Sequence, residues 1–294
     1  MQNENLITYK GAKWLLLFVF YMQFLVSELV RTPWSLLFEG LIPQYEMIIC
    51  IQLFAVILPC AVFMLLNSAK PSQVFKHKKL PFTIGVICAV IGISAQPIAS
   101  LLNAPIIMLL ENSGMSTMPT ITAPANIYSL LTGLLVVALL PAIFEEVLMR
   151  GILLHAMEHD GYRFTMFVSA FLFALIHNSM TDFFGIFFLG ITLCYVVWMT
   201  QSLLAGIITH FFFNAFAVVL AYTAPSESLY ITVAIISIAV FGLTTSLIVH
   251  KSVKRYKSTS FFKKLFFTVI SFPVVLIILG FIMFNLAKLL GVLV

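Results

Sequence analysis

Three ionisable side chains, Glu145, Glu146 and Arg150, lie close together in an otherwise apolar segment. Apolar residues predominate from Ile127 to Leu140 before them and from Gly151 to Leu154 after them. A charged side chain near the centre of a bilayer costs roughly 2.5–3.5 kcal/mol on insertion scales. Keeping three of them there indicates that they are paired and face a cavity lined by protein. This segment is therefore the first candidate for a functional site.

Helical spacing predicts how these three groups divide. Glu146 and Arg150 are four residues apart with the acid on the N-terminal side, which is the favourable orientation for an ion pair. Glu145 is rotated by about 100° around the helix and cannot share that pair fully. We therefore expect Arg150 to neutralise one carboxylate, while the other faces the bundle interior and is available as a general base. A purely structural ion cluster that fixes helix register is the alternative, which the second carboxylate makes less attractive.

Two histidines and an asparagine extend the polar set. His177 ends the fifth apolar segment, and His210 and Asn214 share one face of the seventh because they are four residues apart. A single histidine in such a segment is commonly a hydrogen-bonded packing residue. Together with Glu145, however, these groups match the needs of hydrolysis. A carboxylate and a histidine can hold and deprotonate water, and a second histidine and an amide can stabilise an oxyanion.

Glu145, His177 and His210 could instead bind a zinc ion and leave one position open for water. The sequence contains no HExxH pattern, so zinc chemistry and metal-free activation of water by glutamate and histidine both stay open. It also lacks a Gly-x-Ser-x-Gly elbow and a phosphate-binding Gly-rich loop. A serine or cysteine nucleophile has no good candidate.

Composition predicts the elements that must position these groups. Hydrophobic residues make up 62% of the 294 and charged residues 9%, against about 25% charged in soluble domains. The chain is therefore predicted to be an integral membrane protein, an all-α polytopic transmembrane helical bundle of eight to nine spans with an intramembrane polar cavity. A span needs about 20 apolar residues, and the fifth and sixth segments are short. The candidate segments are Trp14–Val30, Met47–Leu66, Leu80–Leu101, Ile127–Leu154, Phe164–Asn178, Phe183–Met199, Leu203–Tyr222, Leu229–His250 and Leu265–Leu286.

The net charge of +5 comes from basic residues grouped in loops, which indicates membrane topology and no nucleic-acid partner. One group, Lys70–Lys79, follows the second span, and another, Lys251–Lys264, follows the eighth. By the positive-inside rule both loops are cytoplasmic, as is the N-terminus with Lys10 and Lys13. Segments 39–46 and 111–126 contain no Lys or Arg, as expected outside. The four cysteines lie within predicted spans and are interpreted as buried apolar residues.

The distribution of ionisable residues divides the chain by content. We expect an N-terminal part, 1–126, of scaffold spans and an outer loop, a catalytic core at 127–222, and C-terminal spans at 223–294. The outer loop is placed at Asn103–Asn126, where Pro105, Pro119 and Pro124 interrupt helical sequence.

Three short patterns, in this order, resemble those of a known family: Glu145-Glu146-x-x-x-Arg150, Phe173-x-x-x-His177 and His210-x-x-x-Asn214. They are similar to the motifs of the CPBP intramembrane metalloprotease family, which includes type II CAAX prenyl endopeptidases and bacteriocin-immunity-like proteins. The resemblance covers about Ile127–Ala221. Each motif is weak alone, whereas three of them on separate spans are specific.

The resemblance implies a role for each residue. Glu145 with His177 would activate water, His210 and Asn214 would stabilise the oxyanion, and Glu146 and Arg150 would order the site. It also implies a conical cavity open toward the cytoplasm and the membrane. The motifs do not decide between zinc and metal-free chemistry.

The predicted function is that of an intramembrane endopeptidase acting on a peptide or membrane-protein substrate, with lipid-modified substrates included. Its partners would be that substrate and the lipid bilayer, in a bacterial cell membrane. A non-catalytic membrane scaffold or immunity protein is one alternative. A proton-coupled transporter is another, because buried Glu, Arg and His also form proton relays. This alternative is disfavoured because the sequence lacks the matching pair of interrupted spans that transporter folds contain.

Overall fold

The computed structural model describes residues 7–37, 44–114, 117, 123–248 and 261–289. Within these ranges the chain is helical apart from turns and one isolated β-bridge, and eight helices are long and apolar enough to cross a membrane. The prediction of an all-α, polytopic membrane protein is confirmed. The helices are α1 (Tyr9–Leu37), α2 (Tyr45–Leu66), α3 (Phe82–Asn112), α4 (Ile127–Asp160), α5 (Tyr162–Ile176), α6 (Phe183–Thr200), α7 (Leu203–Thr223), α8 (Glu227–Leu247) and α9 (Phe272–Leu289), with short helices at Pro71–Val74 and Phe261–Val269.

Helix α5 is the exception among the nine. Its 15 residues extend only about 22 Å, which is less than the ~30 Å hydrocarbon core. It ends at Ile176 with His177 as its C-cap, because Asn178 then takes a left-handed conformation with φ of 53°, which asparagine tolerates better than most residues. The chain then turns through residues 178–182 into α6. This early end leaves the His177 side chain part-exposed inside the bundle.

Two helices widen into π-helical turns next to prolines. In α2 the segment Ile51–Ile57 precedes Pro59, and in α4 the segment Leu134–Leu139 precedes Pro141. Proline lacks an N–H group and its ring clashes with the carbonyl four residues earlier, so a wider turn relieves the conflict. A third π segment, Val147–Leu153, follows the two glutamates directly.

Two boundaries expected from the sequence are wrong. The last span, placed at Leu265–Leu286, is broken at residues 270–271, because Pro273 disfavours helical geometry just before it. The outer loop does not begin at Asn103, because α3 continues through Pro97 and Pro105 to Asn112. In an apolar surrounding, backbone groups are best satisfied within a helix, so α3 tolerates two prolines. Most of segment 113–122 lies outside the described residues.

The basic loops gather at one end of the bundle, called here the basic end. Lys76 Nζ lies 2.6 Å from Glu158 Oε2, and Lys264 Nζ lies 2.8 Å from Asp160 Oδ1. The loop after α2 also pairs with the α6–α7 turn, where the Lys78 amide donates to the Gln201 carbonyl at 3.0 Å. Lys251–Lys257 lie outside the described residues, between α8 and the Phe261–Val269 helix.

Small residues let the helices that carry the site pack closely. A Cβ atom at Gly190 of α6 would lie 2.8 Å from the Ala170 Cα of α5. A Cβ atom at Gly92 of α3 would overlap the Thr209 carbonyl oxygen of α7. Small residues at helix interfaces are the usual means of close packing in membranes, where helices gain no hydrophobic advantage over lipid. The resulting contacts hold α6 against α5 and α7 against α3.

Candidate active site

The ion pair expected from helical spacing is present and fully buried. Arg150 Nη1 donates to Glu146 Oε1 at 2.6 Å, and Arg150 Nη2 donates to the Gly190 carbonyl at 3.0 Å. The guanidinium carbon also lies 4.6 Å from the centroid of the Phe173 ring, a cation–π contact. Buried charges are costly unless paired and hydrogen-bonded. Contacts from α4, α5 and α6 meet part of that need, and among the described residues Arg150 Nε and Glu146 Oε2 have no hydrogen-bond partner.

Glu146 also connects α4 to α7. Its Oε1 lies 3.1 Å from His210 Nδ1. A carboxylate only accepts hydrogen bonds, so this contact assigns the Nδ1 proton to His210 and leaves Nε2 as the other polar atom of the ring. The approach depends on Gly206, where a Cβ atom would lie 2.7 Å from Glu146 Oε2.

Glu145 is held separately from that ion pair. It is buried, and its Oε1 accepts a hydrogen bond from Gln52 Nε2 of α2 at 2.8 Å. Its Oε2 lies 3.4 Å from His177 Nε2. Within the described part of the chain, Oε2 accepts no hydrogen bond of good geometry. Glu145 therefore has one fixed oxygen and one oxygen directed toward a histidine.

The orientation of His177 is set by its own helix. Its Nδ1 lies 2.6 Å from the Phe173 carbonyl, which can only accept, so Nδ1 carries a proton and donates it. In the neutral ring Nε2 is then an acceptor. With a neutral His177 ring, the site places two acceptors, His177 Nε2 and Glu145 Oε2, 3.4 Å apart. Such a pair is arranged to share a donor such as water.

Asn214 lies one helical turn after His210, as the spacing predicts. Its Nδ2 reaches the Val137 carbonyl at 3.4 Å, longer than the usual 2.7–3.2 Å for such a bond. The amide is therefore weakly held and can donate to a ligand at little cost.

These groups share a cavity of about 580 Å³, within the range of small-molecule and peptide pockets. Four predicted residues, together with Gln52, lie on its wall, whereas Glu146 and Arg150 lie behind it. The structure thus brings all six predicted residues together. The wall residues that matter here are Gln52, Glu145, His177, His210 and Asn214.

Gln52 was missed by the sequence analysis, which assigned residues 1–126 to a scaffold. Its signal was an amide side chain within the apolar run Ile51-Gln52-Leu53-Phe54. Asn103 of α3 is a second polar wall residue from that part, and its Oδ1 accepts from the Gly185 amide at 2.7 Å. The N-terminal helices therefore contribute polar groups to the cavity.

The donor set does not fit a three-ligand zinc site as it is arranged. Across the described ranges, no three His, Cys, Asp or Glu side chains are grouped so that they could hold a metal ion. The candidate ligands fall into two pairs, Glu145 with His177 and Glu146 with His210, and Arg150 already neutralises the second pair.

The cavity lies in the half of the bundle away from the basic end. Its wall includes Ser27 late in α1 and Lys288 near the end of α9, and Lys288 is exposed. On the side of the basic end, α4 fills the interior with Leu148, Met149 and Ile152, each at most 1% exposed. Two sequence expectations are therefore incompatible in this structure: cytoplasmic basic loops and a cavity open toward the cytoplasm.

Comparison with known proteins identifies the segment that carries the site. Residues 127–216 match the family described as type II CAAX prenyl endopeptidase Rce1-like, and this range contains all six predicted site residues. No curated protein and no solved structure matches the chain. Over residues 127–216 the chain therefore contains a domain of the Rce1-like type II CAAX prenyl endopeptidase (CPBP) family, a family of peptidases.

Proposed function

We propose that the protein is an intramembrane endopeptidase in which Glu145 and His177 activate the attacking water. The observation that carries this proposal is the acceptor pair on the cavity wall, with Glu145 Oε2 and His177 Nε2 3.4 Å apart. Neither atom has another good donor among the described residues. A water between them would donate to both and lose a proton to Glu145 as its oxygen attacks the peptide carbonyl carbon.

The attack places a negative charge on the former carbonyl oxygen, and His210 and Asn214 are the donors proposed for it. His210 Nδ1 faces Glu146, so donation from Nε2 requires a ring that carries both protons. In that state the charges of Glu145 and Glu146 are balanced by Arg150 and His210. One donor of this kind contributes about 2.7–4 kcal/mol to lowering the barrier.

Collapse of the tetrahedral intermediate completes the reaction. The proton taken by Glu145 passes to the leaving amide nitrogen, the carbon–nitrogen bond breaks, and the products are a carboxylic acid and an amine. Gln52 acts as a positioning residue. By holding Glu145 Oε1 at 2.8 Å, it keeps Oε2 directed toward His177.

The substrate class follows from the family and the cavity. Family membership implies peptide substrates, prenylated ones included, and a cavity of about 580 Å³ within helices that could cross a membrane suits a membrane-associated segment. We further propose a bacterial cell membrane, a cytoplasmic N-terminus, and a catalytic core at 127–222 between scaffold spans at 1–126 and C-terminal spans at 223–294. A scaffold or immunity protein, or a transporter, would not need an acceptor pair positioned for water.

The experiment compares peptide termini released in membranes that contain the wild type or Glu145→Gln at matched expression. Glutamine preserves the shape and an oxygen for Gln52 but cannot take the proton. Glu227→Gln, at an exposed position on α8, is the matched control. Termini that vanish only in Glu145→Gln support the peptidase and name its substrates. Identical profiles in all three would favour the scaffold or the transporter.

A further inference from the structure

Positive charge is distributed unequally between the two ends of the helical bundle. Thirteen of the sixteen Lys and Arg residues lie in four stretches of the sequence: the N-terminal residues with the first turns of α1, the connection between α2 and α3, the start of α5, and the connection between α8 and α9. The described residues that border these stretches lie at the basic end. Of the other three, Arg150 is in the site, and Arg31 and Lys288 fall late in α1 and α9. An excess of Lys and Arg in short loops sets the orientation of membrane proteins, with the basic side cytoplasmic.

The cavity is closed toward that basic end. Below Glu146 the next turns of α4 bury Leu148, Met149, Ile152 and Leu153, each at most 1% exposed. These side chains belong to the largest apolar core, which also includes residues of α1, α2 and α5. A peptide coming from the basic end would have to open this core.

The opposite side is accessible and carries several polar side chains among apolar ones. Lys288 lines the cavity and is exposed, and Ser27, Asp182 and Ser100, which also line it, are part-exposed. These residues belong to α1, the α5–α6 turn, α3 and α9 at positions remote from the basic loops. The mouth of the cavity therefore lies on the side away from the basic end.

We propose that the active site opens to the non-cytoplasmic side of the membrane. Its substrates would then be exported peptides, or membrane-protein segments whose scissile bond is presented from that side. A lipid-modified C-terminus facing the cytoplasm would not reach the acceptor pair. The substrate class rests on the proposed peptidase function, whereas the direction of opening rests only on the cavity and the charge asymmetry.

Cysteine accessibility tests the direction of opening without any activity measurement. Cys50, Cys60, Cys88 and Cys194 are first replaced by alanine in the full-length chain. Single cysteines are then introduced as Lys288→Cys at the mouth, Ser100→Cys inside the cavity, and Lys79→Cys as the matched control at the basic end. Intact cells, permeabilised cells and detergent extracts are treated with a membrane-impermeant thiol reagent, and a cytoplasmic protein thiol reports whether the cells are sealed.

In intact, sealed cells we expect Lys288→Cys and Ser100→Cys to be labelled as fully as after permeabilisation. Lys79→Cys should be labelled only after permeabilisation. Labelling of Lys79→Cys in sealed cells would overturn the proposal, because the basic end would not be cytoplasmic. Failure of Lys288→Cys or Ser100→Cys to react until the cells are permeabilised or dissolved would also overturn it.

Mapping of cleavage sites separates this inference from the proposed function. Termini that depend on Glu145 should map to exported peptides or to non-cytoplasmic parts of membrane proteins. Glu145-dependent termini in cytoplasmic segments would refute the direction of opening while leaving the peptidase intact. The outside labelling pattern without any Glu145-dependent termini would instead refute the peptidase and retain the topology.

Discussion

Gln52 provides a sharp test of the mechanism because it lies outside the matched family segment and touches a proposed catalytic carboxylate. In Gln52→Leu, Glu145 Oε1 loses its donor at 2.8 Å. A hydrogen bond to a charged group is worth about 1.5–3 kcal/mol, so loss of correct orientation lowers kcat roughly 10- to 150-fold if the whole bond acts on the barrier. We expect KM to change little, because the amide nitrogen of Gln52 already donates to Glu145.

The assay is cleavage of a substrate identified by the termini comparison, measured with the protein reconstituted in lipid. Gln96→Leu is the control, because Gln96 also lies on the cavity wall but donates to Ser100 Oγ at 3.2 Å instead of to a site carboxylate. Thermal unfolding in detergent reports any loss of stability separately. The reasoning is refuted if Gln52→Leu keeps the wild-type kcat, or if Gln96→Leu lowers kcat as much.

Three further perturbations test the site's packing and charges. Gly206→Ala should destabilise the protein by about 1–3 kcal/mol in thermal unfolding, because the new Cβ meets Glu146 Oε2, whereas Gly242→Ala, with open space around it, should not. Arg150→Met should lower the free energy of unfolding by about 3–5 kcal/mol, because it leaves Glu146 buried and unpaired. Adding Glu146→Gln should recover part of the folded yield. Asn214→Ala should lower kcat by roughly 10²–10³-fold without lowering the unfolding temperature, because its own bond is weak. The first prediction is contradicted if the two glycine variants are equally stable, and the second if the double variant recovers no folded yield. The third is contradicted if Asn214→Ala leaves kcat unchanged.

Features within one helix were predictable because helical geometry fixes them. The four-residue spacing of Glu146 and Arg150 predicts their pairing, and the structure contains it at 2.6 Å. The same spacing places His210 and Asn214 on one face of α7, and both line the cavity. Their chemical roles stay predictions.

Contacts between helices were less accessible to the sequence. The sequence placed Glu145 and His177 on separate spans, but the 3.4 Å between them depends on where α5 ends and on the left-handed Asn178 that follows. Gln52 was missed because its role needs a partner 93 positions away in the chain. A single amide side chain in an apolar span indicates that a polar contact exists, but it does not indicate which residue is the partner.

The side on which the cavity opens also could not be predicted without the three-dimensional structure. Basic loops indicated which end is cytoplasmic, and family resemblance implied a cavity open to that side. Only the packing of Leu148 and Ile152 beside the site reveals that the two do not agree. Two helix ends were predicted wrongly because proline acts differently at the two places. The helix is interrupted just before Pro273, whereas α3 continues through Pro105.

The central claim is that Glu145 takes the proton of the attacking water, and the single-turnover rate of Glu145→Gln tests it most directly. General-base catalysis contributes about 10²–10⁴-fold, so the purified variant in lipid should cleave at least ~100-fold more slowly than wild type, with substrate binding and unfolding temperature retained. Glu227→Gln should cleave at the wild-type rate. A Glu145→Gln rate equal to that of the wild type would contradict the account.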